Sequence, residues 1–287
     1  MNLVLIHGRD QQGQDKDVLV KTWIDALNKG LDKNGFTLPE STNIIFPFYG
    51  DLLDDLVQEI EKPQTAANAK GTIDDSQLEF EFELYSEVAG QAGITDQQIS
   101  QYVDGPKEKG PLNWEWVQGI LRALDQHTPL GDVSVERFTR DVYTYLYYNA
   151  VRAKINDFII GELQPGPTVL VGHSLGSVVG YNVLREADVE IVDYITIGSP
   201  LGLKSIKKKL ATPLQFPDVI EGKWYNAYDD RDYVALKPLD KHNFNIDPPI
   251  INSNHVKNST KNRHGITGYL DDKQVANKIY EALTRNI

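Results

Sequence analysis

Apolar and polar positions follow two rhythms along this chain. At the start, Leu3-Val4-Leu5-Ile6 is an unbroken aliphatic run stopped by Gly8. Such a run suits a strand covered on both faces, as in a parallel sheet. From Val18 to Leu31 the period changes, and Leu19, Trp23, Ala26 and Leu27 fall on one helical stripe. Asn43-Ile44-Ile45-Phe46 then predicts a second strand, halted by Pro47. Strand, helix, strand in this order is a βαβ unit.

The stretch from about Asp51 to Gly131 breaks that rhythm. Leu53, Leu56, Val57 and Ile60 mark a short amphipathic segment, followed by a polar linker from Pro63 to Asp75. Residues Leu78 to Leu84 alternate strictly, as a strand would. Yet Leu78, Phe82 and Tyr85 also keep helical spacing among good helix formers, and a helix is the expectation. Trp114, Val117, Leu121 and Leu124 predict another helix, closed by Pro129 and Gly131. The whole stretch reads as a helical cap inserted into one α/β domain spanning residues 1–287.

Beyond it the first rhythm returns. Phe138, Val142, Leu146 and Ala150 predict one long helix over Val135 to Ile160. Strands follow at Thr168 to Val171, Ile191 to Ile197 and Trp224 to Tyr228, with a helix from Leu175 to Arg185 between the first two. A last helix runs from Lys273 to Leu283, capped by Asp271 or Asp272. The fold class is therefore α/β, a mainly parallel sheet with helices on both faces and a helical insertion.

Composition narrows the chemistry. A formal net charge of -12 over 287 residues repels phosphate backbones and anionic bilayers, so no nucleic-acid partner is expected. The chain has no cysteine, which removes disulfides, thiolate metal sites and a cysteine nucleophile. No run approaches the roughly 18 apolar residues that span a bilayer. The first residues lack a basic leader and a small-residue cleavage site. Stable membrane insertion is not expected, and a cytoplasmic location is.

Gly172-His173-Ser174-Leu175-Gly176 matches G-x-S-x-G and stands between an aliphatic strand and a helix. A serine there sits on a strained turn, with glycines two residues to either side where side chains would collide with strand and helix. The turn lifts the hydroxyl to the N-terminus of the following helix, whose free N–H groups suit a developing oxyanion. Ser174 is thus the candidate nucleophile. The competing reading is a glycine-rich turn without chemistry.

With these residues the chain resembles the α/β-hydrolase superfamily, in particular lipase- and esterase-like serine hydrolases carrying G-H-S-L-G. It is more distantly similar to the lipase group related to inositol deacylases. The resemblance covers nearly the whole chain except the insertion. Members usually carry two strands before the one ending in H-G, whereas this chain starts at that strand, which implies a reduced sheet. The resemblance also implies a triad in the order Ser, acid, His. His264, ahead of Gly265-Ile266-Thr267-Gly268-Tyr269 and the last helix, is the expected base, with His255 as the alternative. Asp232, followed by Tyr233-Val234, matches the family's acid, and Asp229 is the runner-up. Three aspartates in one loop without spaced partners are weak ground for an ion site, so no metal and no cofactor are expected.

Backbone N–H groups of Leu175 and Arg9 are the expected oxyanion donors, with Asp10 the alternative to Arg9. Ser199-Pro200-Leu201-Gly202 resembles the family's strand-end turn and reads equally well as site floor or structural turn. Carboxylic-ester hydrolysis of a small or lipid-like substrate is the implied reaction. Amide, thioester or acyl-transfer chemistry on the same triad, or a non-catalytic partner-binding role, are the alternatives. The insertion supplies Phe80, Phe82, Tyr85, Trp114 and Trp116. Trp114 and Trp116 are the expected substrate-binding pair, with internal packing as the competing role.

Overall fold

The computed structural model describes residues 1–9, 11–61, 75–105, 107–129 and 132–285. Six parallel strands form one sheet: β1 (Asn2–Ile6), β2 (Asn43–Ile45), β3 (Thr168–His173), β4 (Ile191–Ile197), β5 (Ile220–Ala227) and β6 (Ile251–Ser253), in the spatial order β2-β1-β3-β4-β5-β6. The helices are α1 (Lys16–Asp32), α2 (Gly50–Glu61), α3 (Asp75–Gln91), α4 (Asp96–Ile99), α5 (Trp114–His127), α6 (Asp132–Tyr147), α7 (Asn149–Glu162), α8 (Leu175–Leu184), α9 (Lys204–Lys207), α10 (Ile266–Leu270) and α11 (Lys273–Leu283).

The aliphatic runs have a simple cause. Side chains alternate across a strand, so a strand covered on both sides must be apolar at every position. Leu3, Leu5, Val169, Val171 and Ile195 face α1 and α11. Val4, Ile6, Leu170 and Tyr194 face the opposite way, into a core shared with α2, α3 and α5 to α8. The connection between β2 and β3 is thus not a body with its own small core. Phe80, Tyr85, Trp116 and Val117 belong to the same apolar cluster as the sheet face.

The strand order reverses beside β1. From β1 the chain passes to β2 on one side, then crosses to β3 on the other and continues outward to β6. Helices on either side of such a reversal leave a crevice at the carboxyl ends of the two central strands. Ile6 pairs with Gly172 across β1 and β3, which brings Gly8 and Ser174 to the mouth of that crevice.

Several elements differ from expectation. Between residues 78 and 84 the helical alternative forms, as part of α3. The single helix expected over 135–160 is two, because Tyr148 adopts an extended conformation and opens a new helix. The burial stripe records the break. Phe138, Val142 and Leu146 are buried, Ala150 is exposed, and the next stripe is Val151, Ile155 and Ile159. Arg152 covers the break by donating to the Leu146 carbonyl at 3.0 Å. The run Tyr145-Leu146-Tyr147-Tyr148-Asn149 is a weak helix former, so tertiary packing decides its path. β5 begins four residues earlier than its apolar core, and β6, α9 and α10 carry too little periodicity to be read in advance. The expected linker from Pro63 to Asp75 lies almost wholly outside the described residues, as do Leu130 and Gly131. Among the described residues no helix is long and apolar enough to cross a membrane.

Candidate active site

Ser174 follows β3 and stands at the N-cap of α8 with φ 54 and ψ -128, a left-handed backbone that a non-glycine residue adopts only under strain. Its hydroxyl makes no capping bond to α8. The glycines around it are there for space. A Cβ on Gly172 would fall 2.8 Å from the Gly176 carbonyl oxygen. One on Gly176 would run into the backbone carbonyls of Ile6 and His7. One on Gly8 would fall 2.9 Å from Cβ of Ser174. The loop after β1 is therefore pressed against the serine.

Ser174 Oγ lies 2.8 Å from His264 Nε2, and His264 Nδ1 lies 2.7 Å from Asp232 Oδ2. Ser174 and Asp232 are 2% and 0% exposed. Asp232 also accepts from the Tyr269 hydroxyl at 2.6 Å and from the Val234 N–H at 3.0 Å. An ionised carboxylate is acceptor-only, so the imidazole must carry its proton on Nδ1. That leaves Nε2 as an acceptor facing the serine hydroxyl, the arrangement able to take a proton from it. Burial and the neighbouring Asp232 carboxylate keep the Tyr269 hydroxyl protonated far above the usual phenol range. Tyr269 thus remains a donor.

The three aspartates of the loop after β5 go to three different partners. Asp229 accepts from Arg231 N at 2.8 Å and from Asn258 N at 2.7 Å, and its oxygens pair with the Arg231 guanidinium. Burial pushes its carboxyl up, but Arg231 and the backbone donors outweigh burial and hold it below the usual range. Asp230 meets Asn254. Only Asp232 reaches His264. His255, His127 and His242 are all exposed, and none contacts Ser174.

The loop bearing His264 has its own scaffold. Asn258, fully buried, donates to the Gly265 carbonyl at 2.8 Å and accepts from Thr260. Asn262 accepts from the His264 N–H at 3.1 Å, and Arg263 takes a left-handed φ of 56 to make the turn. His173 completes the support by donating from Nε2 to the His264 carbonyl at 2.8 Å. Burial first, then His264, keeps the His173 imidazole neutral, well below its ordinary pKa.

On the opposite side, His7 pins the loop after β1. Its Nε2 accepts from the Tyr49 N–H at 3.1 Å, so Nδ1 carries the proton and donates to the Gly8 carbonyl at 2.6 Å. Tyr49 stacks on the ring and donates its hydroxyl to the His7 carbonyl at 2.7 Å. Burial holds His7 down at about 4. Gly8 and Arg9 thus sit on a fixed backbone beside the serine, facing the first turn of α8. There the Leu175 N–H, as a first-turn amide, has no acceptor within the helix. Asp10 lies outside the described residues.

Two cavities meet at Arg9, Asn262 and His264. One is walled by Leu84 and Val88 of α3, Val135 and Phe138 of α6, Leu203 and Val234. The other opens over Ser174 and is bordered by Gln11, Thr22, Trp23 and His173. The Arg9 guanidinium sits 5.9 Å from the Phe138 ring centroid, between the two spaces. Trp114 and Trp116 line neither. Trp116 is 3% exposed and packs against α3 and α4, and Trp114 is 40% exposed at the start of α5. Neither of the two expected substrate-binding tryptophans therefore borders the space beside Ser174. Ser199 Oγ lies 2.7 Å from Ser177 Oγ, in the first turn of α8, and Ser199 lines neither cavity.

Sequence reasoning missed His173, Tyr49, Tyr269, Asn258 and Asn262 as supports, and Leu84, Val88 and Phe138 as walls. Leu84 and Val88 are four residues apart on a helical stripe, but nothing in that spacing says what the stripe faces. Comparison of the chain with protein-family models, curated proteins and solved structures returns no match.

Proposed function

We propose that this chain is a serine hydrolase of the α/β-hydrolase type that cleaves a carboxylic ester by acyl transfer to water. The observation that carries the reading is the continuous hydrogen-bonded relay from Asp232 through His264 to Ser174, on a strained turn at the crevice of a parallel sheet.

In this reading Ser174 Oγ attacks the ester carbonyl as His264 Nε2 takes the hydroxyl proton. Asp232 stays ionised and steadies the imidazolium. The tetrahedral oxyanion rests against the N–H groups of Leu175 and Arg9, fixed donors that need not reorganise as charge develops. Collapse expels the alkoxide, which leaves as the alcohol with the proton from His264. Water, deprotonated by His264, then attacks the acyl-serine and releases the acid. The apolar cavity suits the acyl group, and the more polar, open cleft suits the alcohol and the entering water.

The test is labelling with a small alkyl fluorophosphonate, together with hydrolysis of p-nitrophenyl esters. Wild-type protein should be labelled and should turn over ester. Ser174→Ala should lose both, with turnover falling by several orders of magnitude. Undiminished labelling of Ser174→Ala sinks the reading.

A further inference from the structure

Leu84 and Val88 form one wall of the apolar cavity, and Glu87, the residue just before Val88 on α3, does not line it. Glu87 is only 14% exposed, and every contact of its carboxylate ties α3 to the catalytic side of the molecule. Oε1 accepts from the Lys204 N–H at 3.0 Å and pairs with Lys237 Nζ at 2.7 Å. Oε2 accepts from the N–H and the hydroxyl of Ser205 at 3.0 and 2.8 Å. Lys237 is itself 16% exposed. A charge-assisted pair this sheltered from water holds its geometry far more firmly than an exposed one.

The other half of the junction is equally constrained. Gly202 lets the chain after β4 pass against Lys237, for a Cβ there would fall 2.7 Å from the Lys237 carbonyl oxygen. Leu203, between Gly202 and Lys204, lines the same cavity as Leu84 and Val88. Ser199, three residues before Gly202, contacts Ser177 of α8, the helix that begins at the serine. One short segment therefore joins the nucleophile helix, the cavity and α3, and Glu87 is where α3 is fastened to it. By contrast, Glu83, one turn earlier, pairs with the exposed Lys208.

We infer that Glu87 is a positioning residue for acyl specificity, holding Leu84 and Val88 at the distance that lets the cavity close around a short acyl chain. This rests on the ester-hydrolase reading. Its consequence is selective. Without the Glu87 junction the wall withdraws, and acyl methylenes lose their cover while the reacting atoms keep theirs. Each methylene left against water forfeits about fourfold in kcat/KM.

The experiment compares wild type, Glu87→Ala, Lys237→Met and Glu83→Gln on p-nitrophenyl acetate and butyrate, with labelling by a small alkyl fluorophosphonate and thermal unfolding of each protein. Glu87→Ala and Lys237→Met should lower the butyrate-over-acetate ratio of kcat/KM by about fourfold or more, with the labelling rate unchanged. Glu83→Gln should match wild type in both. Lys237→Met leaves α3 chemically intact, so it decides the matter even if Glu87→Ala does not fold. A wild-type ratio in folded, normally labelled Lys237→Met overturns the inference and leaves the hydrolase reading standing. Wild-type protein that neither labels nor turns over ester overturns both.

Discussion

Replacing Asp232 by asparagine changes two atoms' worth of hydrogen bonding and almost no volume, which makes it a sharp probe of the relay. Asp232 Oδ2 accepts from both His264 Nδ1 and Tyr269, while Oδ1 accepts from the Val234 N–H. An asparagine has one acceptor oxygen and one donor amide for these three donors. With its oxygen toward His264, the amide hydrogens face the Val234 N–H, donor against donor. With its amide toward His264, the imidazole must present a bare Nδ1 and carry its proton on Nε2, where it can no longer accept from Ser174. Either way the productive tautomer is lost or destabilised. For the corresponding substitution in a serine-protease triad the loss is about 10⁴-fold in kcat, and the same order is expected here. Asp229→Asn is the matched control. It breaks the Arg231 pairing but touches neither His264 nor Ser174. Because Arg231 is half-exposed and an asparagine keeps one acceptor oxygen, that loss should cost only ~1 kcal/mol of stability, which lowers Tm by about 2 °C for a chain of this size. Turnover of p-nitrophenyl acetate at saturation, with thermal unfolding of both variants, separates the two effects. If Asp229→Asn loses more turnover than Asp232→Asn, the tautomer argument is refuted and the acid must be reassigned.

Three further outcomes follow from the same geometry. Gly176→Ala should destabilise the fold by about 3 kcal/mol or more, because the new Cβ meets backbone at Ile6 and His7 and no side chain can swing aside; an unchanged urea midpoint contradicts that close approach. Val88→Phe should fill the apolar cavity, sharply lowering turnover of p-nitrophenyl butyrate while acetate turnover and fluorophosphonate labelling persist, and equal loss on both esters counts against the acyl assignment. His7 is held at about 4 by burial, against an ordinary 6.5. It is therefore neutral in the folded chain where an unfolded chain's histidine binds a proton. Its contribution is whole above about pH 6.5 and is lost as pH falls toward 4, by about 3 kcal/mol in all. Urea unfolding across that range, alongside NMR titration of the ring, checks this; a His7 that titrates near 6.5 in the folded protein refutes it.

Local pattern determined a good deal of this protein. Continuous aliphatic runs at Leu3 to Ile6 and Val169 to Val171 can be buried only in a sheet covered on both faces, and their separation by helical stripes makes it parallel. The glycines around Ser174 announced a tight strand–helix turn, because only a missing Cβ allows that approach. The candidate positions Ser174, Asp232 and His264 came from motif and chain order, and the fold brings them within hydrogen-bond distance. What the pattern left open was direction. Asp229 and Asp232 have the same side chain three residues apart, and only the path of the loop decides that one meets Arg231 and the other His264. Trp116 and Val88 are both apolar positions on helices, yet one packs against α3 and α4 and the other walls the cavity. Tyr148 interrupts a stripe that local spacing continues, because the packing of α6 and α7 against the sheet outweighs a weak helical preference. Asn258, Tyr269, His173 and Glu87 take their roles from partners up to 150 residues away. Periodicity carries information over a turn or two of chain; contacts over such separations exist only once strands β1 and β3 have brought their ends together.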